Sequence, residues 1–177
     1  MKEVCDQIHG MTCLEGFDPG QGSFTSYFGG REVDASLLLL PKVGFLPATD
    51  ERMAGTIALI EKNLVVDGLV VRHRMDSPNP EGAFIACSFW LAECQLGQNR
   101  RSDAVATLER GLAVRSPLGL LAEQFDVGSR RLSGNYPQAL SHVALINTLI
   151  ALAKFDESST ATQGDRAECH SDEAAAK

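Results

Sequence analysis

One acidic side chain lies among apolar residues in a part of the chain that is not a long helix. Glu123 follows the apolar run Leu120–Ala122 and precedes Gln124 and Phe125. An apolar environment disfavours the charged form of a carboxyl group and so makes it a better proton acceptor. Loops held by a rigid scaffold often carry such groups. Glu123 is therefore a candidate for a catalytic role, and the default interpretation of the segment is a glutamate that caps or pairs locally.

A second segment ends in a basic side chain that could bind a ligand. Arg72 follows Val70 and Val71 and is followed by His73 and Arg74. An arginine at the end of a strand presents a planar fork of N–H donors to sugar hydroxyls or to a carboxylate. The alternative is a solvated surface pair, Arg72 and Arg74, on one strand face. His73 alone is more typical of a solvated histidine than of a ligand.

Glu81 lies in the segment Asn79–Phe84, directly before an apolar helical pattern. A carboxylate at that position stabilises the positive end of a helix dipole. This structural role is the default interpretation, and a role in a binding site is the alternative.

Several other chemistries have no support in the sequence. The four histidines show neither HxxxH nor HxH spacing, so no metal site is predicted. The glycine-rich stretch Gly16–Gly30 lacks the GK[ST] ending of a phosphate loop, and a GxSxG motif is absent. We therefore expect no cofactor and no serine nucleophile.

Helical periodicity dominates the elements that must position these side chains. Helices are predicted over Lys2–Cys13, Glu51–Leu64, Ala83–Leu96, Ala104–Val114 and Gln138–Phe155, with Thr49 or Asp50 capping the second and Ser102 with Asp103 capping the fourth. Asp34 is the predicted N-cap of a further helical segment, Ala35–Leu40. Val65–His73 contains the turn pair Asp67–Gly68 within a β-branched run, which fits a short strand or hairpin.

The remaining segments are predicted as loops or as disordered chain. Loops are expected over Gly16–Gly30, Ser77–Gly82 and Arg115–Asn135, and long loops in a compact domain are often functional. The last helix is apolar nearly all round, which predicts deep burial. After Phe155 the composition turns polar and small, so residues 156–177 are predicted to form a disordered tail. The fold class is all-α, with long loops and one short hairpin.

Composition excludes several classes of protein. The chain has 177 residues, of which 44% are hydrophobic, and a formal net charge of −7. The composition fits one soluble domain. The negative net charge argues against a nucleic-acid partner. The apolar runs are shorter than the roughly 20 residues that span a membrane. The five cysteines fit no zinc or redox spacing, and the first residues do not resemble a signal peptide, so a cytoplasmic location is expected. Cys87 and Cys94 are expected to share a buried helix face.

Seven segments, in order, resemble glycoside hydrolase family 15, which includes glucoamylases, glucodextranases and some trehalases. They lie at Gly22–Tyr27, Asp34–Pro41, Val43–Pro47, Asp67–Arg72, Glu81–Leu91, Gly119–Asp126 and Pro137–His142. The resemblance covers about residues 1–155 and implies the C-terminal portion of an (α/α)6 barrel with its site at the mouth. It also implies hydrolysis of an α-glucoside or trehalose with inversion.

The resemblance carries roles onto individual residues. Glu123 matches the general base, and Gln124 in the same motif would contact the hydroxymethyl group of glucose. Arg72 matches the arginine that binds glucose at the cleavage point, although His73 stands where the family often has tyrosine. Glu81 matches a loop near the site.

The family's general acid lies in a Trp-Glu motif that this sequence does not contain, because its one tryptophan, Trp90, is followed by leucine. An inverting mechanism needs both carboxyl groups. We therefore expect the chain to be inactive alone and to need the missing barrel half or a second copy as partner. The alternatives are a non-catalytic helical interaction module and a remnant that binds sugar.

Overall fold

The computed structural model describes residues 1–74 and 81–175, with side chains in 1–74 and 81–160. Within these residues the α-helices are α1 (Lys2–Glu15), α2 (Glu51–Leu64), α3 (Ile85–Gly97), α4 (Arg101–Ala113) and α5 (Ala139–Ala175), and a 3₁₀ helix spans Ala35–Leu39. The strands are β1 (Phe17–Asp18), β2 (Ser23–Phe24), β3 (Val65–Val66), β4 (Leu69–Val70), β5 (Ala83–Phe84), β6 (Gln124–Asp126) and β7 (Arg131–Ser133). Most of the predicted loop Ser77–Gly82 lies outside the described residues.

Helix α3 is the centre of the hydrophobic core. Ten of its thirteen residues are buried, including Ile85, Phe89 and Leu96. It packs against α4 on one side and α5 on another, and the 3₁₀ helix covers a third side. Cys87 and Cys94 are both buried on α3, as the sequence predicted. Burial raises the pKa of each thiol to about 12.

The prediction that the last helix is deeply buried was wrong. Helix α5 buries one face, at Ser141, Ala144 and Thr148, against the rest of the chain. Its opposite face is about half exposed, through Leu140, Val143, Ile146, Leu149 and Ile150. The reason is that only one side of α5 meets packed elements among the described residues, whereas α3 is surrounded. The apolar residues around α5 therefore include one face that no other described element covers.

The all-α prediction was incomplete, because the chain is mostly helical with small antiparallel sheets. The expected hairpin is present as β3–β4, with Val65 opposite Val70. The predicted loop Gly16–Gly30 contains β1–β2, and the predicted loop Arg115–Asn135 contains β6 and β7. Strands of two or three residues are too short to show a two-residue periodicity, so the sequence pattern could not reveal them.

Two helix starts differ from the prediction. Helix α3 begins at Ile85 rather than Ala83, because Ala83 and Phe84 pair with β6. Helix α4 begins at Arg101, so the predicted cap at Ser102 and Asp103 lies inside it. The predicted caps Asp34 and Asp50 are confirmed, since each carboxylate accepts a hydrogen bond from the backbone N–H two residues later.

Helix α5 is longer than its predicted range Gln138–Phe155. It continues to Ala175, into the segment 156–177 for which the sequence predicts disorder. The disorder of that segment in solution stays a prediction. By length and composition alone, the part of α5 from Ala139 to Thr160 is long and apolar enough to cross a membrane. In its most apolar stretch of 18 residues, 17% of the residues are buried. The same length and apolar content are found in helices of soluble proteins that pack against other elements.

Candidate functional site

A three-stranded antiparallel sheet, in the order β5–β6–β7, carries the segment that contains Glu123. In its register Gln124 pairs with Phe84 on one side and with Ser133 on the other. Glu123 extends the same pairing by one residue. Its N–H donates to the carbonyl of Asn135 at 2.9 Å, and its carbonyl accepts from the N–H of Ile85 at 3.1 Å. The backbone of Glu123 is therefore fixed between two other segments.

The carboxylate of Glu123 is held as well as its backbone. The N–H of Asn135 donates to Oε2 at 2.9 Å, and the side chain is half-buried. Gly134 lies directly against it with a φ of +73°, and a Cβ there would lie 2.8 Å from Oε2 and 2.9 Å from the Cβ of Glu123. Only glycine combines this backbone conformation with this close approach. Gly134 and Asn135 therefore form a cradle for the carboxylate.

Residues at the start of α5 hydrogen-bond to the backbone of the two residues before Glu123. The carbonyl of Leu121 accepts from the N–H of Gln138 at 2.9 Å. The hydroxyl of Ser141 donates to the carbonyl of Ala122 at 2.8 Å, in a fully buried contact. Leu121 and Ala122 are themselves buried, so Glu123 projects from an anchored base.

The loop before α3 meets the same strand through Gln124. The N–H of Gly82 donates to Oε1 of Gln124 at 3.2 Å. A Cβ on Gly82 would lie 2.8 Å from the carbonyl oxygen of Phe125, so glycine permits this close approach of two backbones. Glu81, one residue earlier, is exposed. Its backbone thus lies beside Gln124, and its side chain faces solvent.

Arg72 lies after β4, where its backbone and side chain are both engaged. Its carbonyl accepts from the N–H of Ala35 at 2.8 Å. Its Nε lies 3.4 Å from Oδ2 of Asp34, the N-cap of the 3₁₀ helix, while 57% of the Arg72 side chain remains exposed. The carboxylate of Asp34 therefore orients a guanidinium group that still presents donors to solvent.

Arg72 lines a small cleft with a partly aromatic wall. The cleft has a volume of about 200 Å³, and its lining consists of Asp34, Ser36, Arg72, Phe84, Cys87, Trp90 and Leu140. Apolar and aromatic walls with a few convergent polar groups are typical of small-molecule sites. The cleft therefore combines a guanidinium group, a carboxylate and a hydroxyl with the aromatic residues Phe84 and Trp90.

Phe84 connects the two halves of the candidate site. Its backbone pairs with Gln124, and the residue also lines the cleft of Arg72. The structure therefore brings Glu81, Gln124 and Glu123 together through one sheet and places Arg72 across Phe84 from them. Within the described residues, Arg72 and Glu123 share no hydrogen bond or ion pair.

A larger cleft, of about 570 Å³, lies elsewhere. It runs between the second half of α3, the middle of α5 and the segment from Leu38 to Ala48. It shares Trp90 with the Arg72 cleft and contains none of the four predicted site residues. In the described part of the chain, no group of three or more His, Cys, Asp or Glu side chains is placed to hold a metal ion.

Sequence reasoning did not assign site positions to Gly134, Asn135, Phe84 and Trp90. A Gly-Asn pair is a turn signal in sequence, but nothing local shows that the N–H of Asn135 bonds to a carboxylate twelve residues away. Phe84 and Trp90 lay within the segment Glu81–Leu91 that carried the resemblance. Asp34 was predicted as a helix cap, and its contact with Arg72 depends on the tertiary fold.

Comparison of the sequence with known proteins finds trehalases. The family model for glycosyl hydrolases family 15 matches residues 1–112. A trehalase of Thermoplasma acidophilum is 43% identical over 148 residues, which cover 82% of this chain and 26% of that protein. A trehalase of Mycobacterium tuberculosis is 37% identical over 161 residues, which cover 88% of this chain and 24% of that protein. The chain spans about a quarter of the length of these relatives.

Comparison of the fold finds glycosidases. One solved glycosidase superimposes with a TM-score of 0.75 at 25% identity, over 85% of this chain and 43% of that one. A glycosidase variant solved in complex with glucose superimposes with a TM-score of 0.74 over the same shares. The described helices and small sheets are therefore similar to part of a glycosidase.

Proposed function

Because the chain belongs to glycosyl hydrolases family 15, we propose that it forms part of a catalytic domain that hydrolyses trehalose with inversion, with Glu123 as the general base. The observation that carries this proposal is the cradle of Gly134 and Asn135, which fixes a carboxylate directly before β6, where the backbone is anchored from three sides. A general base must keep its oxygen in one position relative to the water that it activates. An unconstrained surface glutamate would not meet this requirement.

The proposed step uses the two oxygens of Glu123 differently. Oε2 accepts the Asn135 N–H, and Oε1 has no hydrogen-bond partner among the described residues. Oε1 removes a proton from a water molecule while the oxygen of that water forms a bond to the anomeric carbon. The bond from this carbon to the glycosidic oxygen breaks, and the second carboxyl group protonates that oxygen as it leaves. Inversion follows because the attack comes from the opposite face of the sugar.

The other proposed residues bind the glucose unit. Arg72 donates to sugar hydroxyls from the cleft, while Asp34 holds the guanidinium group in place. The amide of Gln124 contacts the hydroxymethyl group with its N–H donors, since its Oε1 already accepts from Gly82. Glu81 lies beside this contact on the exposed side.

The general acid is proposed to come from outside this chain. In an inverting glycosidase the two carboxyl groups are about 6.5–9.5 Å apart, which leaves room for the water. The resemblance places the acid in a Trp-Glu motif, and these 177 residues contain no such pair. The chain alone is therefore expected to bind sugar without releasing glucose.

A hybrid enzyme tests the proposal. This chain replaces the matching segment of the Thermoplasma acidophilum trehalase, and glucose release from trehalose is measured. We expect the hybrid trehalase to be active and Glu123→Gln to lower its kcat by about a hundredfold or more, because general-base catalysis contributes on that scale. The matched control is Glu109→Gln, the same change at an exposed position on α4, which should leave kcat unaltered.

Two results would contradict the proposed function. In the first, Glu123→Gln turns over trehalose at the rate of the active hybrid. In the second, the hybrid folds and binds trehalose in calorimetry but never releases glucose. The second result would favour the alternative of a sugar-binding remnant.

A further inference from the structure

We propose that Ser141, assisted by His142, is a positioning residue for the Glu123 carboxylate. From the first turn of α5, these two side chains hold Leu121 and Ala122, the residues that lead into Glu123. The inference rests on the proposed role of Glu123 and adds to it a function for the segment Pro137–His142, which the proposed mechanism leaves without one.

The contact of Ser141 is fully buried. Its hydroxyl donates to the carbonyl of Ala122 at 2.8 Å, and neither residue is exposed to solvent. A buried hydroxyl has no water to bond, so it needs a protein partner. The partner is the carbonyl of the residue immediately before Glu123. This bond therefore ties α5 to the peptide unit that sets the direction of the glutamate side chain.

His142 holds the preceding residue. Its Nε2 lies 3.3 Å from the backbone N of Leu121, and its Nδ1 lies 2.7 Å from the carbonyl oxygen of Gln138. We assign the hydrogen to Nδ1, because Nε2 must accept from the N–H of Leu121. The ring thus bridges the start of α5 and the strand segment in one tautomer.

The backbone groups before Glu123 and those of Glu123 itself are held by different residues. The N–H of Leu121 and the carbonyl of Ala122 bond to His142 and Ser141 on α5, whereas the N–H and the carbonyl of Glu123 bond to Asn135 and Ile85. A change in the first group moves the base of the Glu123 side chain, and this movement weakens the hydrogen bond from the Asn135 N–H to its carboxylate. A misplacement of about 1 Å in an active site can cost on the order of a hundredfold in rate.

Thr148 provides a matched control on the same helix. Its hydroxyl is buried and has two carbonyl acceptors at 3.0 Å, Phe89 on α3 and Ala144 on α5, neither of which lies in the Glu123 segment. Removing either hydroxyl deletes one buried side-chain-to-carbonyl bond from α5. Only the Ser141 hydroxyl lies next to Glu123, so the two variants separate positioning from general stability.

The first measurement is amide hydrogen exchange by NMR on the full chain, which needs no turnover. The N–H of Asn135 reports the site because it bonds to Oε2 of Glu123. We expect Ser141→Ala to speed its exchange by about tenfold, the scale of one lost hydrogen bond, and Ser141→Thr to restore protection. Thr148→Val should leave the Asn135 amide within about twofold of the unmodified chain.

The second measurement is the kinetics of the hybrid trehalase. We expect Ser141→Ala to lower kcat by about tenfold with little change in KM, since it displaces a base and not a binding group. If Ser141→Ala does not fold, His142→Leu removes the acceptor of Leu121 and tests the same expectation.

The inference is overturned if the Asn135 amide of Ser141→Ala exchanges as in the unmodified chain, or if Thr148→Val speeds it equally. Failure of the proposed function is a separate result. In that case Ser141→Ala alters the exchange of Asn135, but Glu123→Gln leaves the turnover of the hybrid unchanged.

Discussion

Replacing Gly134 with alanine should displace the Glu123 carboxylate and destabilise the chain. An alanine at a φ of +73° costs about 1–2 kcal/mol, because an L side chain crowds its own backbone there. Its Cβ would also lie 2.9 Å from the Cβ of Glu123, which cannot rotate away, so the strand itself must shift. That shift weakens the Asn135 hydrogen bond to a charged acceptor, at a cost of about 1.5–3 kcal/mol if the bond is lost.

The expected net loss is about 2–3 kcal/mol in the free energy of unfolding. The two costs are partly offset by about 0.4–1 kcal/mol, because alanine lowers the conformational entropy of the unfolded chain. We also take the lower part of the hydrogen-bond range, since Glu123 is only half-buried. For a chain of 177 residues this corresponds to a fall in Tm of about 4–12 °C. Urea and thermal denaturation followed by circular dichroism measure it.

Two other glycines separate the causes. Gly119 has a φ of +79° with open space around its Cβ position, so Gly119→Ala reports backbone strain alone. Gly128 lies in the turn between β6 and β7, is not at positive φ, and would contact only a side-chain oxygen at 3.4 Å. Gly134→Ala should be the most destabilising of the three. Ordinary surface substitutions change the free energy of unfolding by up to about 0.5 kcal/mol. If the losses for Gly134→Ala and Gly119→Ala differ by no more than this, the cradle around Glu123 does not exist as described.

Two further predictions concern the core and a helix cap. Burial raises the pKa of Cys87 and Cys94 to about 12, which lowers their thiolate fraction at pH 8. Ellman's reagent should therefore label the exposed Cys5 quickly and the two buried thiols only after unfolding. Equal labelling rates would contradict their burial. Asp50→Ala should cost about 1 kcal/mol at neutral pH, because the carboxylate caps α2 and accepts from the Arg52 guanidinium. That hydrogen bonding lowers the pKa of Asp50, so its contribution is present above the ordinary aspartate pKa of about 4 and is lost as the pH falls through the lower folded value. A stability difference that does not shrink in acid would show that the cap is not ionic.

Local signals predicted the parts of the fold that local interactions form. Helix α2 occupies the predicted range Glu51–Leu64, with Asp50 as its cap. The β3–β4 hairpin has its turn at Asp67–Gly68, both at positive φ. In these cases apolar spacing, a cap and a turn pair all lie within a few residues of the structure that they determine. The same holds for the buried thiols of α3, which follow from an apolar helix.

The sequence by itself determined the helical character of the chain, the family that it resembles and Glu123 as a candidate catalytic residue. Only the tertiary structure decided that Asn135 bonds to that carboxylate, that Asp34 orients Arg72 and that Phe84 connects the two. It also decided that α5 leaves one apolar face uncovered. The physical reason is range: helices and turns arise from neighbours along the chain, whereas burial and the partner of a carboxylate depend on segments that meet only after folding.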